Sequence, residues 1–126
     1  MVEIRILVAD DFEPWRIGIR EILKSRPAWQ IVFEATDGVE ALEKTTELHP
    51  DVVLLDVRMP RLSGIEAARK MLQVFPDLKI IFLSQSNDEY IIAAALETGA
   101  RAYLQKTRAM ELISVIEAAI RDDDSP

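Results

Sequence analysis

Asp51-Val52-Val53-Leu54-Leu55-Asp56-Val57-Arg58-Met59-Pro60 is the stretch on which the fold turns. Val52 to Leu55 is an unbroken apolar run containing β-branched residues, the pattern of a strand covered on both faces in a parallel sheet. A carboxylate, Asp56, ends the run. Open α/β sheets gather their ligand chemistry at the C-terminal ends of their strands, so Asp56 stands where a reactive group belongs. Met59-Pro60 then breaks the strand direction, and Ser63-Gly64 opens the next segment. By itself an Asp in this position is more often a cap or a turn residue. Its weight comes from what the other strand ends carry.

Upstream, Val2 to Ala9 begins with alternation and becomes continuously apolar, a strand entering the sheet and ending in Asp10-Asp11. Pro14 suits the first turn of a helix whose buried face is Trp15, Ile19, Ile22 and Leu23, with Pro27 as its stop. Gln30 to Ala35 reads as a second strand. Asp37-Gly38 caps a second helix, with Val39, Leu42 and either Thr46 or Leu48 as its buried stripe. Downstream of the central strand, Ile65, Ala68, Met71, Leu72 and Phe75 recur at helical spacing. Lys79 to Leu83 is another strand, ending in Ser84-Gln85-Ser86. Asn87-Asp88 caps a helix carrying Ile91, Ile92, Ala95 and Leu96, which Gly99 terminates. Ala102-Tyr103-Leu104 is a short last strand ending at Lys106. Met110, Ile113, Ile116 and Ile120 share one face of the final helix. Five strand-then-helix repeats predict parallel strands joined by right-handed crossovers. The last helix has more apolar residues than one narrow stripe needs, which suits a dimer contact, an output-domain contact or core packing.

The bulk composition narrows the function. A chain of 126 residues, 49% hydrophobic and 29% charged, makes one soluble domain. The absence of cysteine and a single histidine, His49, exclude disulfides, thiolate sites and histidine metal clusters. A net charge of −7 argues against direct nucleic-acid binding. It suits a basic partner or a cation. No run of 18 apolar residues and no signal-peptide layout are present, which predicts a cytoplasmic protein without a membrane span.

A parallel sheet brings all strand C-termini to one edge. That edge collects Asp10 and Asp11, Asp56, Ser84 and Lys106. Clustered carboxylates raise each other's pKa, and a hard cation with oxygen ligands, such as Mg²⁺, relieves the repulsion. One carboxylate then becomes a nucleophile toward phosphorus, with the cation and a lysine on the phosphoryl oxygens. Each residue also has a plainer use. Asp10-Asp11 can cap the first helix, Lys106 can be a solvated helix-start residue, Ser84 a loop hydroxyl, Tyr103 an edge-strand packing residue. Trp15 reads as helix packing, and His49 as a surface residue.

Asp10-Asp11, Asp56-x-x-Met59-Pro60, Ser84 and Lys106, in order after the first, third, fourth and fifth strands, resemble the receiver domain of bacterial two-component response regulators. Leu7-Val8-Ala9-Asp10-Asp11 and Arg16-Ile17-Gly18-Ile19-Arg20 resemble receivers of regulators with a helix-turn-helix output domain. The resemblance covers nearly the whole chain. It implies a flavodoxin-like, doubly wound α/β fold: a five-stranded parallel sheet of order 2-1-3-4-5 with five helices. The receiver domain would span 1–121, with 122–126 a polar tail or the start of a linker.

By position, the resemblance makes Asp56 the phosphoacceptor, served by a histidine kinase or a phosphotransfer protein. Asp11, Asp56 and the backbone carbonyl of Arg58 would hold Mg²⁺, with Asp10 acting through water. Lys106 and Ser84 would contact the phosphoryl group. Ser84 and Tyr103 would form the switch pair that remodels the surface of the fourth helix, fifth strand and fifth helix. Such a module controls an output domain or partner, here in transcription, or else stands alone in a phosphorelay; it can dimerise on activation, and any DNA binding is left to a C-terminal output domain absent from this chain. It turns over no metabolite; its chemistry is self-phosphorylation and slow autodephosphorylation.

Two positions depart from the family pattern. Gln85 stands where a small residue is usual, beside the pocket, where it can hinder donor entry or hold a hydrolytic water. Thr107 replaces the proline that usually follows the lysine across a cis bond; without proline a cis peptide costs about 3 kcal/mol. Three readings compete with a phosphorylated receiver. A Mg²⁺-dependent phosphatase or phosphotransferase of another α/β family would want an acid two residues after Asp56, where Arg58 stands. A flavodoxin-like cofactor module would want Gly, Ser or Thr donors where Asp10-Asp11-Phe12-Glu13 stands. A degenerate receiver would signal by binding alone.

Overall fold

The computed structural model describes residues 3–121. Val2, expected in the first strand, and the expected tail at 122–126 lie outside the described residues. Five strands, β1 (Ile4–Ala9), β2 (Trp29–Ala35), β3 (Val52–Leu55), β4 (Lys79–Ser84) and β5 (Ala102–Gln105), form one sheet in the order β2-β1-β3-β4-β5. Every pairing is parallel. The crossovers are α1 (Glu13–Leu23), α2 (Gly38–Leu48), α3 (Gly64–Val74) and α4 (Glu89–Glu97); α5 (Leu112–Arg121) closes the chain.

Alternation along the strands divides the core in two. Leu7, Val53, Leu55, Ile80 and Phe82 face Ala41, Ala67, Ala68, Met71 and Ala95 of α2, α3 and α4. Ile6, Val8, Leu54, Ile81 and Leu83 face Ile19, Leu23, Leu112 and Ile116 of α1 and α5. β3 is buried along its whole length, as its unbroken apolar run requires. Caps fall where the sequence places them. Asp37 accepts from the Glu40 N–H at 2.8 Å, Ser63 from Glu66 at 3.2 Å, and Asp88 from Tyr90 at 2.8 Å.

Several helix faces differ from the reading of periodicity. In α2 the buried stripe is Ala41 and Thr45, whereas Thr46 is exposed and Val39, Leu42 and Leu48 are half-buried. In α4 only Ala95 is fully buried; Leu96, expected inside, is 43% exposed, and Tyr90 is 88% exposed. Between β5 and α5 lies Lys106–Glu111, short 3₁₀ turns interrupted by a kink at Arg108 (φ −114°, ψ 25°). It resets the phase of the last helix, so Met110 is 85% exposed and the buried face of α5 is Leu112, Ile116 and Ala119. No cis peptide occurs among the described residues, and Lys106–Thr107 is trans.

Candidate functional site

Register alone assembles the site. Ala9 pairs with Leu55, so Asp10 and Asp56 stand side by side one step beyond. Leu55 pairs with Phe82 and Ser84 with Gln105, which brings Ser84 and Lys106 to the same edge. The ladder carries on past the last strand residues: the Asp10 N–H donates to Ala35 at 3.0 Å and the Asp56 N–H to Ala9 at 3.0 Å. Both carboxylates therefore leave a fixed backbone.

Asp10, Asp56, Ser84 and Lys106 are all buried, an unusual set of polar groups for a core. The Lys106 ammonium accounts for it. Its Nζ lies 2.7 Å from Asp10 Oδ2 and 3.2 Å from Asp56 Oδ2. The other Asp56 oxygen accepts the Val57 N–H at 2.8 Å, and the other Asp10 oxygen accepts the Phe12 N–H at 2.8 Å. Asp10 thus folds the turn into α1 without capping its interior: the cap position is Phe12, whose side chain makes no cap bond. Burial pushes the Asp56 carboxyl above the ordinary carboxylate range. The Lys106 charge opposes that rise, the Asp10 charge adds to it, and hydrogen bonding from Ser84 and Lys106 opposes it.

Asp11 differs in being exposed. One oxygen each from Asp10, Asp11 and Asp56 lies within 4.8 Å of the others. Two buried carboxylates and one facing solvent, oxygen donors throughout, fit a hard divalent cation that keeps several of its waters. Lys106 neutralises only part of the three negative charges, so the set has charge left for such an ion. The Arg58 backbone follows at the mouth, and its residue lines the cleft beside the cluster.

That cleft is about 370 Å³, lined by Asp10, Asp11, Asp56 and Lys106 together with Trp15 and Gln85. Gln85 is exposed and also borders a second hollow of about 270 Å³ with Ser84 and Ser86. Another hollow, about 330 Å³, lies at the opposite edge of the molecule near His49 and Phe75. Asp51 there is exposed and accepts the Arg5 N–H at 2.8 Å, whereas the buried carboxylates Asp10 and Asp56 and the buried Lys106 meet at the strand C-termini, where the chemistry belongs. Tyr103 is half-buried; its hydroxyl donates to the Ser86 carbonyl at 2.8 Å and its ring stacks 6.2 Å from Phe82.

Two residues escaped the sequence reading. Trp15, read as helix packing, lays its ring 4.9 Å from Lys106 Nζ. Arg16 donates through Nη1 to the Asp10 carbonyl at 2.6 Å, tying the start of α1 to the end of β1. The one signal for either was proximity in sequence to Asp10-Asp11.

Comparison with known proteins places this geometry. Residues 6–117 match the response regulator receiver domain family. The transcriptional regulatory protein DegU of Brevibacillus brevis is 38% identical over 116 residues, 92% of this chain and 48% of that protein. LiaR of Bacillus subtilis is 37% identical over 121 residues, 95% of this chain and 57% of that protein. The chain therefore spans about half the length of the curated relatives it matches. A LuxR-family two-component response regulator from Aurantimonas sp. SI85-9A1 superposes with a TM-score of 0.86 at 33% identity, over 92% of this chain and 84% of that one. The response regulator domain of Thermotoga maritima CheB superposes with a TM-score of 0.85 at 32% identity, over 98% of both chains.

Proposed function

Because this chain belongs to the response regulator receiver domain family, we propose that Asp56 is its phosphoacceptor and that phosphorylation switches its surface. The observation that carries the reading is the placement of Lys106, buried and within 3.2 Å of Asp56, at a cleft open to a donor. An oxygen of Asp56 forms the new bond to phosphorus as the donor's bond to phosphorus breaks. The electron pair leaves with the donor, an imidazole of a histidine kinase or phosphotransfer protein, or a carboxylate of an acyl phosphate.

Asp11, Asp56 and the Arg58 carbonyl would hold Mg²⁺, with Asp10 acting through water. When bound, Mg²⁺ neutralises charge on the phosphoryl oxygens. Lys106 donates to a phosphoryl oxygen from its place beside Asp10. Ser84, buried one strand away, donates to another. Tyr103 is bonded to Ser86, two residues past Ser84, so a displacement of Ser84 reaches the ring through that loop. The changed surface comprises α4, β5 and α5. Gln85 modulates entry or hydrolysis from the rim of the cleft.

The chain turns over no metabolite in this reading; its own chemistry is phosphorylation from a donor and slow hydrolysis. It acts in the cytoplasm and controls transcription through a C-terminal DNA-binding output domain and a dimer formed on activation. Intact mass after incubation with Mg²⁺ and a small acyl phosphate tests the core of this. The wild type gains one alkali-labile phosphoryl group, and Asp56→Asn gains none. Stoichiometric phosphorylation of the variant at another residue refutes the assignment.

A further inference from the structure

Trp15 lines the cleft with its ring against the ammonium of Lys106. Its ring centroid lies 4.9 Å from Lys106 Nζ, inside the range at which an ammonium is attracted to an indole face. The Lys106 side chain is 5% exposed, so the attraction acts where water does not screen it. An ammonium has three N–H groups and no lone pair. Asp10 at 2.7 Å and Asp56 at 3.2 Å take two directions, and the indole covers a further side that water would otherwise solvate.

The backbone that carries the indole is anchored. It sits in the first turn of α1, and the next residue, Arg16, bonds the Asp10 carbonyl at 2.6 Å. The ring, the carbonyl of Asp10 and the carboxylate of Asp10 are thereby one assembly around the lysine. We propose that Trp15 is a positioning residue for Lys106: it holds the ammonium in the cleft, dry and aimed at the group added to Asp56. This rests on the phosphoacceptor reading above and extends it to a residue outside the carboxylate–lysine set.

The role has a consequence specific to phosphorylation. Once Asp56 carries a phosphoryl group, Lys106 exchanges its bond to the Asp56 carboxylate for one to a phosphoryl oxygen. During that exchange the ammonium keeps Asp10 and the indole as its two constant neighbours. A side chain of similar bulk without a π face fills the space but exerts no hold on the charge.

The test compares Trp15→Phe with Trp15→Leu in the whole chain, with folding checked by thermal melting. The rate of phosphorylation by an acyl phosphate is followed against Mg²⁺ concentration. Trp15→Leu is expected to slow the rate at saturating Mg²⁺ about tenfold, on the order of the loss of one desolvated cation–π contact. Trp15→Phe stays within about twofold of wild type. The Mg²⁺ concentration for half-maximal rate moves little in either, because Trp15 touches Lys106 and the cation's ligands are the carboxylates. A general distortion of the site would move that concentration. Equal rates for Trp15→Leu and wild type overturn the proposal, as does a Trp15→Phe protein as slow as Trp15→Leu. A second readout needs no phosphorylation. In a Trp29→Phe background, where Trp15 is the remaining tryptophan, Lys106→Met shifts the emission of Trp15. An unchanged spectrum overturns the contact. If the wild type accepts no phosphoryl group but this shift occurs, the phosphoacceptor reading fails and the Trp15–Lys106 contact stands.

Discussion

Gly64 and Gly18 offer the same substitution with opposite expected signs. Gly64 opens α3 directly against the backbone of Asp56. A Cβ built there lies 1.9 Å from the Asp56 carbonyl oxygen, whereas ordinary contact begins at 3.4 Å. The Gly64 N–H also donates to the Val57 carbonyl at 2.8 Å, so the helix cannot back away without losing that bond. Its neighbour is main chain, not the far end of a flexible side chain. Forced overpacking costs about 1–3 kcal/mol and the strained hydrogen bond about 1 more, while the helix-favouring effect of alanine returns about 0.5–1. Gly64→Ala should therefore lose about 1–3.5 kcal/mol, a sizeable share of the roughly 5–15 kcal/mol that stabilises a domain. Gly18 lies inside α1 with no atom within 4 Å of its added Cβ. Gly18→Ala should gain about 0.5–1 kcal/mol from helix propensity and reduced freedom of the unfolded chain. Urea unfolding at constant m separates the two: the midpoint falls for Gly64→Ala and rises for Gly18→Ala. The displaced Asp56 peptide should also slow phosphorylation of Gly64→Ala. Equal stability of Gly64→Ala and wild type, or a loss at Gly18, would refute the packing argument.

Thr45 has a fully buried hydroxyl with no hydrogen-bond partner, so Thr45→Val, which replaces it by a methyl group, should stabilise the fold by about 1 kcal/mol in a thermal melt. A loss of stability would mean that the hydroxyl is satisfied after all. Lys106→Met leaves Asp10 and Asp56 without their shared counter-charge; it should cost about 3 kcal/mol without divalent cation and show a larger melting-temperature rise with Mg²⁺ than wild type. Equal Mg²⁺ responses would count against a common carboxylate site. Glu34 is held below its ordinary value near 4.5, chiefly by its hydrogen bond from Arg20. A lowered folded pKa gives stability that is present above the unfolded value and is lost as pH falls through the folded one. Glu34→Gln should thus be less stable than wild type at pH 7, and the difference should shrink in acid below about 4.5. A difference that is constant with pH would show that the ion pair contributes nothing.

The strand ends were legible because two independent constraints coincide there. An apolar run dictates burial, and a charge at its C-terminal end has to be explained by a partner. Asp10, Asp56 and Lys106 satisfy each other, and the sheet order brings them together. Caps were legible for a local reason: Asp37, Ser63 and Asp88 each bond an N–H two or three residues away. Phase was harder. Thr45 and Thr46 are adjacent and chemically equal, so periodicity alone could not choose between them. Met110 was misplaced because the chain before α5 is 3₁₀ and kinked at Arg108, not the continuous α-helix assumed. α4 is apolar on most of its surface, so its pattern names no single buried face. Trp15 reaches Lys106 across more than ninety positions of sequence, a contact that only the assembled sheet creates.

The central claim is that Asp56, and neither carboxylate beside it, takes the phosphoryl group. Borohydride reduces an acyl phosphate to an alcohol and leaves free carboxylates untouched. The protein should be treated with an acyl phosphate and Mg²⁺, reduced, digested and read by peptide mass spectrometry. The account predicts homoserine at position 56, with Asp10 and Asp11 unchanged. Homoserine at position 10 or 11, or none in a protein whose intact mass shows a phosphoryl group, would contradict it.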